Sequence, residues 1–260
     1  MASWRCGYVA YPADLAEAMN KVQDTNLICA PVVSQLLALE CLRAGRALIE
    51  PGLQALAGVR RQVHEAAIER GRVLAAQGAL IVDIGAESTI PGADRVSPRD
   101  QVTGVLPVVT ALRENGVITS VETYSPDVAR AVLAAGAEVL NLTGVEREDE
   151  MYEAAAAHDA TVIMCFVQGA NVREVHDLVL GDDPIPGLLE HFGPRVERAA
   201  ELGVERLLID PGLGFYYGNL QDGAARVRHQ VRVFLNTFRL RVLGDRKSTR
   251  LNSSHGYISY

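Results

Sequence analysis

The sequence predicts an α/β fold of the (β/α)8 TIM-barrel type, with about six βα units present. Three observations predict it. Apolar runs of about six residues alternate with amphipathic stretches of ten or more, the pattern of parallel strands joined by helical crossovers. The repeat is close to 30 residues, the unit length of an eight-unit barrel. Aromatic residues make up only 5% of the chain, while Ala, Val, Leu and Gly abound, which disfavours a β-sandwich. A doubly wound open sheet is the alternative. Its GxGxxG fingerprint does not follow the first strand, and Gly212-Leu213-Gly214 lacks the third glycine.

The elements follow in order. Asn26–Val33 reads as a first strand and Leu36–Ile49 as a helix broken by Pro51-Gly52. Arg61–Gln77 is an amphipathic helix closed by Gly78. Ala79–Ile84 is a strand apolar on both faces, interrupted by Asp83. Gln101–Glu114 is a helix stopped by Asn115-Gly116, and Val117–Thr123 is a strand. Pro126–Ala135 is a helix with Ser125 as N-cap, followed by Gly136. Ala137–Leu142 is a strand, Glu148–His158 a helix and Thr161–Val167 a β-branched strand. A helix through Pro194–Leu202 stops at Gly203. Glu205–Ile209 is the sixth strand, and Ala224–Arg241 is a long helix.

Composition excludes several functions. Net charge is −7, so no broad basic face can neutralise nucleic-acid phosphates. No run of eighteen apolar residues is present, which argues against a membrane span. The N-terminus has no signal-peptide core. Cys6, Cys29, Cys41 and Cys165 are widely spaced and form no CxxC, as reduced thiols of a cytoplasmic protein would be.

In parallel α/β folds the chemistry sits at the C-terminal ends of strands. Those ends carry Asp83, Glu122, Asn141, Gln168 and Asp210, with Thr89 on the loop after the first of them. Three carboxylates and two carboxamides in one cup suit a planar heterocycle with several N–H donors. A carboxylate accepts two parallel hydrogen bonds, and an amide offers both a donor and an acceptor. Three oxygen ligands could hold Mg²⁺, but no His or Cys clusters with them. Asp210 before Pro211-Gly212, and Ser88 or Thr89 before a loop, can equally serve as turn residues.

These residues lie in runs that resemble the dihydropteroate synthase family, within the pterin-binding barrel superfamily. The runs are Asp83-Ile-Gly-Ala-Glu-Ser-Thr-Ile-Pro-Gly-Ala93, Ser120-Val-Glu-Thr-Tyr124, Asn141-Leu-Thr-Gly144, Gln168-Gly169 and Asp210-Pro-Gly-Leu-Gly-Phe215. The resemblance covers about Arg61 to Gly244. It implies a (β/α)8 barrel. The activity it implies is condensation of a dihydropterin-methyl diphosphate with p-aminobenzoate in folate synthesis, with release of pyrophosphate. Carried over by position, Glu122, Asn141 and Asp210 hold the pterin, Asp83 sits at the pocket floor, and Thr89 lies near the diphosphate and aminobenzoate. Mg²⁺ is implied as cofactor, with its ligand not located, and a homodimer as the state of the complete protein.

The sequence departs from the family pattern. The Asn that binds the metal after the first strand cannot be placed. Ile90 stands where the family has Arg, Glu122 where it has Asp, and Ala86 where it has Gly. Gly214-Phe215-Tyr216-Tyr217 lacks the family lysine. Fewer cations weaken the case for a diphosphate substrate. Two other readings stand beside the first: a methyltetrahydrofolate:corrinoid methyltransferase, against which the Glu87–Gly92 loop speaks, and a catalytically inactive pterin-binding paralogue.

The expected organisation is an N-terminal extension over 1–25, an incomplete barrel domain over 26–244, and a tail over 245–260. The tail from Asp245 to His255 reads as an in-frame translation of a common short-read sequencing adapter. It is expected to be disordered or loosely docked, leaving the first and sixth strands as open edges.

Overall fold

The computed structural model describes residues 12–26, 31–90, 93–178, 181–214, 217, 219, 222–244, 249–251 and 257–258. The chain divides into two compact units, 1–62 and 63–260.

The first unit holds α1 (Ala16–Asn26), α2 (Val32–Ala44) and the start of α3 (Arg46–Ala76). The strand expected over Asn26–Val33 is not formed by its described residues: Asn26 ends α1, and Val32 opens α2 after Pro31. Residues 27–30 lie outside the described residues. The helix break also falls earlier than expected. Gly45, at φ 59°, separates α2 from α3, and Pro51 lies inside α3. Glycine reaches that left-handed backbone without a Cβ clash. Pro51 cannot donate a backbone hydrogen bond there, and its ring crowds the carbonyl four residues earlier.

The second unit is a run of strand–helix units. Its strands are β1 (Val82–Gly85), β2 (Thr119–Thr123), β3 (Val139–Leu142), β4 (Thr161–Cys165) and β7 (Leu207–Asp210). Helices α4 (Pro98–Glu114), α5 (Pro126–Ala134), α6 (Glu148–Ala157), α7 (Ile185–Glu201) and α8 (Gly223–Asn236) follow them. Five βα units are therefore formed by the described residues, each at its expected place, and the sixth would have needed the first strand.

All five strands are parallel, in the order β7-β4-β3-β2-β1. Each strand lies beside its predecessor, with no reversal of order. That is the arc of a barrel and not a doubly wound sheet, which needs a switch point.

The local chemistry explains the boundaries. Ser97 caps α4 by accepting the Asp100 N–H at 3.2 Å, with Pro98 in the first turn, so α4 starts earlier than expected. Ser125 does not cap α5 with its side chain; its N–H instead donates to Thr123 Oγ1 at 3.0 Å. Helix α8 ends at Asn236 and tightens into a 3₁₀ segment over Thr237–Leu243. An antiparallel hairpin of β5 (Gly169–Asn171) and β6 (Glu174–Val175) follows β4 and was not expected.

The tail differs from expectation. Short strands β8 (Thr249–Leu251) and β9 (Tyr257–Ile258) pair in parallel with β7 and β1. An unpaired sheet edge offers a row of N–H and C=O groups that backbone alone can satisfy, with little demand on side-chain type.

Register assigns each side chain to a face. Asp83 pairs with Ser120, Glu122 with Asn141, Asn141 with Ile163, and Cys165 with Asp210. Registered residues of a parallel sheet point the same way, and the alternation has period two. Asp83, Glu122, Asn141, Cys165 and Asp210 therefore share one face. Val82, Ile84, Val121, Leu140, Leu142, Val162, Met164 and Ile209 take the other. There they form the main core with Val109 and Leu112 of α4, Val132 of α5, Tyr152 of α6 and Phe192 of α7. On the site face, Val139, Ile163 and Cys165 make a second, smaller apolar floor with Val167 and Val172.

Candidate functional site

The site stands on that floor, at the C-terminal ends of the strands. Asp83 is buried on β1 and Asn141 on β3. Asn141 Nδ2 donates to Asp83 Oδ2 at 3.0 Å. The Cys165 thiol donates to Asn141 Oδ1 at 3.1 Å. Burial, then the charges of Asp210, Glu122 and Asp83, push the Cys165 thiol well above its usual range, so it stays an S–H donor. These two bonds set which end of the Asn141 amide faces which neighbour. They leave one N–H and one lone pair of the amide for a ligand.

Glu122 on β2 is half-buried between them. Burial and the charge of Asp83 push its carboxyl up to about 8, with Asp210 and Glu87 adding to the rise and the Thr143 hydroxyl opposing it. Three carboxyls in one low-dielectric mouth cannot all ionise cheaply. At neutral pH Glu122 is therefore largely protonated, able to donate as well as accept. Asp210 ends β7, and its Oδ1 accepts the Gly212 N–H at 2.8 Å. The turn role expected for Asp210 is thus real, and it coexists with a place on the site face.

Thr89 lines a small cavity together with Glu122, Thr143, Tyr124, Glu87 and Arg173. The structure thus brings Thr89 to Glu122. Gln168 lies elsewhere. Strand β4 ends at Cys165, and alternation continued past it would put Val167 on the site face and turn Gln168 to the opposite one. Gln168 lines a separate cavity of about 670 Å³ with Phe166, His191 and Pro211.

Sequence reasoning missed the residues that hold the loop after β1. Glu87 Oε1 accepts the Val96 N–H at 2.9 Å, and its Oε2 accepts the Tyr124 hydroxyl. Arg95 donates to Tyr124 and pairs with Glu174 at 2.5 Å. Arg173 donates to the carbonyls of Ser88, Ile90 and Ala93, the Ile90 bond being 3.1 Å. Arg173 and Glu174 sit in the β5–β6 hairpin, which has no periodic signal in so short a span. The glycines of two motifs are explained by the same hairpin. A Cβ at Gly169, at φ 152°, would meet the Glu174 carbonyl at 2.0 Å, and one at Gly144 would meet the Ala170 carbonyl and Asn171 Cβ of the hairpin at 3.2 Å, besides Tyr124 Cβ at 2.7 Å.

Among the described residues no three His, Cys, Asp or Glu side chains come together in a metal-holding group. No described helix is long and apolar enough to cross a membrane.

Comparison with known proteins follows the same residues. The family described as pterin binding enzyme matches residues 54–249. The dihydropteroate synthase of Synechocystis sp. is 35% identical over 153 residues, which are 57% of this chain and 53% of that protein. The crystal structure of dihydropteroate synthase from Clostridium difficile in the presence of pteroic acid has a TM-score of 0.60 at 26% identity. That match covers 74% of this chain and 68% of the other. Dihydropteroate synthase from Thermus thermophilus in complex with 4-aminobenzoate has a TM-score of 0.58 at 27% identity, covering 71% and 66%. The chain spans about half the length of the curated relatives it matches.

Proposed function

The chain belongs to the pterin-binding enzyme family, and from that premise we propose that it is a dihydropteroate synthase-type transferase of folate biosynthesis. It binds a dihydropterin-methyl diphosphate and condenses it with p-aminobenzoate. The observation that carries this reading is the shared face of Asp83, Glu122, Asn141 and Asp210, with the Asn141 amide locked by Asp83 and Cys165. Relatives solved with pteroic acid and with 4-aminobenzoate support it.

On this reading Asp83 and Asp210 accept N–H groups of the heterocycle. Asn141 meets a lactam edge with its remaining donor and acceptor. Glu122, protonated at neutral pH, donates to a ring nitrogen. Thr89 and the loop after β1 stand over the reacting carbon. There the aminobenzoate nitrogen forms a bond to the methylene carbon. The bond from that carbon to the diphosphate oxygen breaks, the nitrogen gives up a proton, and pyrophosphate leaves. Mg²⁺, when bound, would supply neutralisation of the diphosphate charge; among the described residues no group of three His, Cys, Asp or Glu side chains would hold it.

The test is calorimetry with a pterin. Asp210→Ala is expected to weaken pterin binding by about 2–4 kcal/mol, the cost of leaving ligand donors without their charged acceptor. Unchanged affinity removes Asp210 from the site. The inactive-paralogue reading rests on Ile90 and on the absence of a lysine in Gly214-Phe215-Tyr216-Tyr217, which leave no cation at those positions. It predicts pterin binding without product formation from the diphosphate and aminobenzoate.

A further inference from the structure

The loop after β1 has Ile90 rather than a cation, and Ile90 is 68% exposed. A guanidinium nonetheless stands at this loop, brought by a different element. Arg173 is half-buried in the β5–β6 hairpin and lines the cavity that holds Thr89, Glu122 and Thr143. Its Nη1 gives its two N–H groups to the Ser88 and Ile90 carbonyls, and Nη2 gives one to the Ala93 carbonyl. The Nε–H and the second Nη2 N–H have no acceptor among the described residues. Nε and Nη2 lie along one edge of the guanidinium, whose side-by-side N–H geometry matches two oxygens of a carboxylate or phosphate.

Charge supports the same conclusion. The hairpin's own carboxylate, Glu174, pairs with Arg95, and no Asp or Glu pairs with Arg173 among the described residues. A half-buried cation held by neutral carbonyls keeps its full charge for an outside anion. The acidic groups that face it are Glu87 and Glu122. Glu87 already serves Tyr124 and the Val96 N–H.

We propose that the Nε–Nη2 edge of Arg173 is the oxyanion fork of this mouth and takes the diphosphate of the pterin substrate. The inference deepens the pterin-transferase reading and rests on it. Arg173 thereby has two jobs: three donors hold the loop that carries Thr89, and two hold the ligand. The charge missing at position 90 in the chain is restored in space from position 173.

Two probes on the full chain test this by calorimetry, inorganic pyrophosphate and benzoate, with a pterin titrated separately. The wild type is expected to bind pyrophosphate. Arg173→Gln should lose about tenfold or more of that affinity, the loss of a charge-assisted bidentate pair. Arg173→Lys should fall between, because a point charge replaces a fork. Pterin affinity should stay within about twofold in both. Arg95→Gln, which cuts the hairpin-to-loop tie but leaves the fork, should keep pyrophosphate binding. Equal losses in Arg95→Gln and Arg173→Gln would mean that Arg173 acts only by placing the loop, which overturns the proposal. It is also overturned if benzoate and not pyrophosphate responds to Arg173. A wild type that binds pterin but no pyrophosphate overturns it while the pterin reading stands. One that binds neither overturns both.

Discussion

Asn141 Nδ2 donates to Asp83 Oδ2 at 3.0 Å across β2, joining two strands that are not neighbours in the sheet. Such a bond needs the inward curvature of a barrel arc, because in a flat sheet alternate strands stand about 9–10 Å apart. It also fixes the polarity of the amide that the ligand meets.

Removing either end should therefore cost both stability and recognition. Asp83→Ala leaves a buried Asn141 donor unanswered, at about 1–3 kcal/mol of folding stability. Urea midpoints and pterin titrations should fall together. Cys165→Ala should be milder on stability and should weaken pterin binding by about three- to tenfold, since the amide loses its orienting donor. Cys165→Ser, which keeps a donor, should restore most of that affinity.

Glu122 makes stability depend on pH with a defined sign. Its folded pKa is about 8, against 4.5 for the free group. Between those values the folded state holds a proton that the unfolded state has released. Its contribution is therefore fully present below the unfolded value and is lost as pH rises toward the folded one. The slope has an upper bound of about 1.4 kcal/mol per pH unit. Urea midpoints measured from about pH 5 to about pH 9 should decline, and Glu122→Gln should flatten the decline and be the more stable protein at the upper end. A wild-type profile as flat as the variant's would place Glu122 in an open, solvated position.

Behind the mouth, Arg195 carries a second structural load. Its Nε donates to Glu148 at 2.7 Å, and Nη1 and Nη2 reach the Cys165 and Gly144 carbonyls at 3.3 and 3.4 Å. The pair is largely buried, with side chains 10% and 16% exposed. Arg195→Met alone should destabilise by about 3–5 kcal/mol, because Glu148 is left charged and buried. The double replacement with Glu148→Leu should recover much of that loss, as read by thermal unfolding.

Gly169→Ala tests the hairpin. The added Cβ cannot coexist with the Glu174 carbonyl at 2.0 Å, so β5 and β6 must separate or the strand must shift. The expected cost is at least about 1–3 kcal/mol. Proteolysis within residues 169–175 should accelerate before the main unfolding transition. An unchanged cleavage rate would mean that the hairpin is not held by this close approach.

What the sequence by itself determined was the strand–helix alternation and the polar residue at the end of each strand. Period-two and helical periodicities are local, so β1, β2, β3, β4 and β7 stand where the apolar runs place them, and Asp83, Glu122, Asn141 and Asp210 follow. The first sixty residues were less legible. A short apolar run such as 26–33 reads alike as strand or buried helix, and its described ends are helical. Gln168 stands at the end of an apolar run, but period-two alternation from Cys165 gives the site face to Val167, and Gln168 lines another cavity. Only the tertiary structure decided the orientation of the Asn141 amide, the raised pKa of Glu122 and the place of Arg173. The Asn141 amide and Arg173 depend on hydrogen-bond partners 24 to 85 residues away in sequence, and Glu122 on burial and the charges of Asp83 and Asp210, all brought together by sheet curvature and a short hairpin. Pairings of that separation leave no periodic trace in the chain, because the partners are chosen by packing and not by spacing.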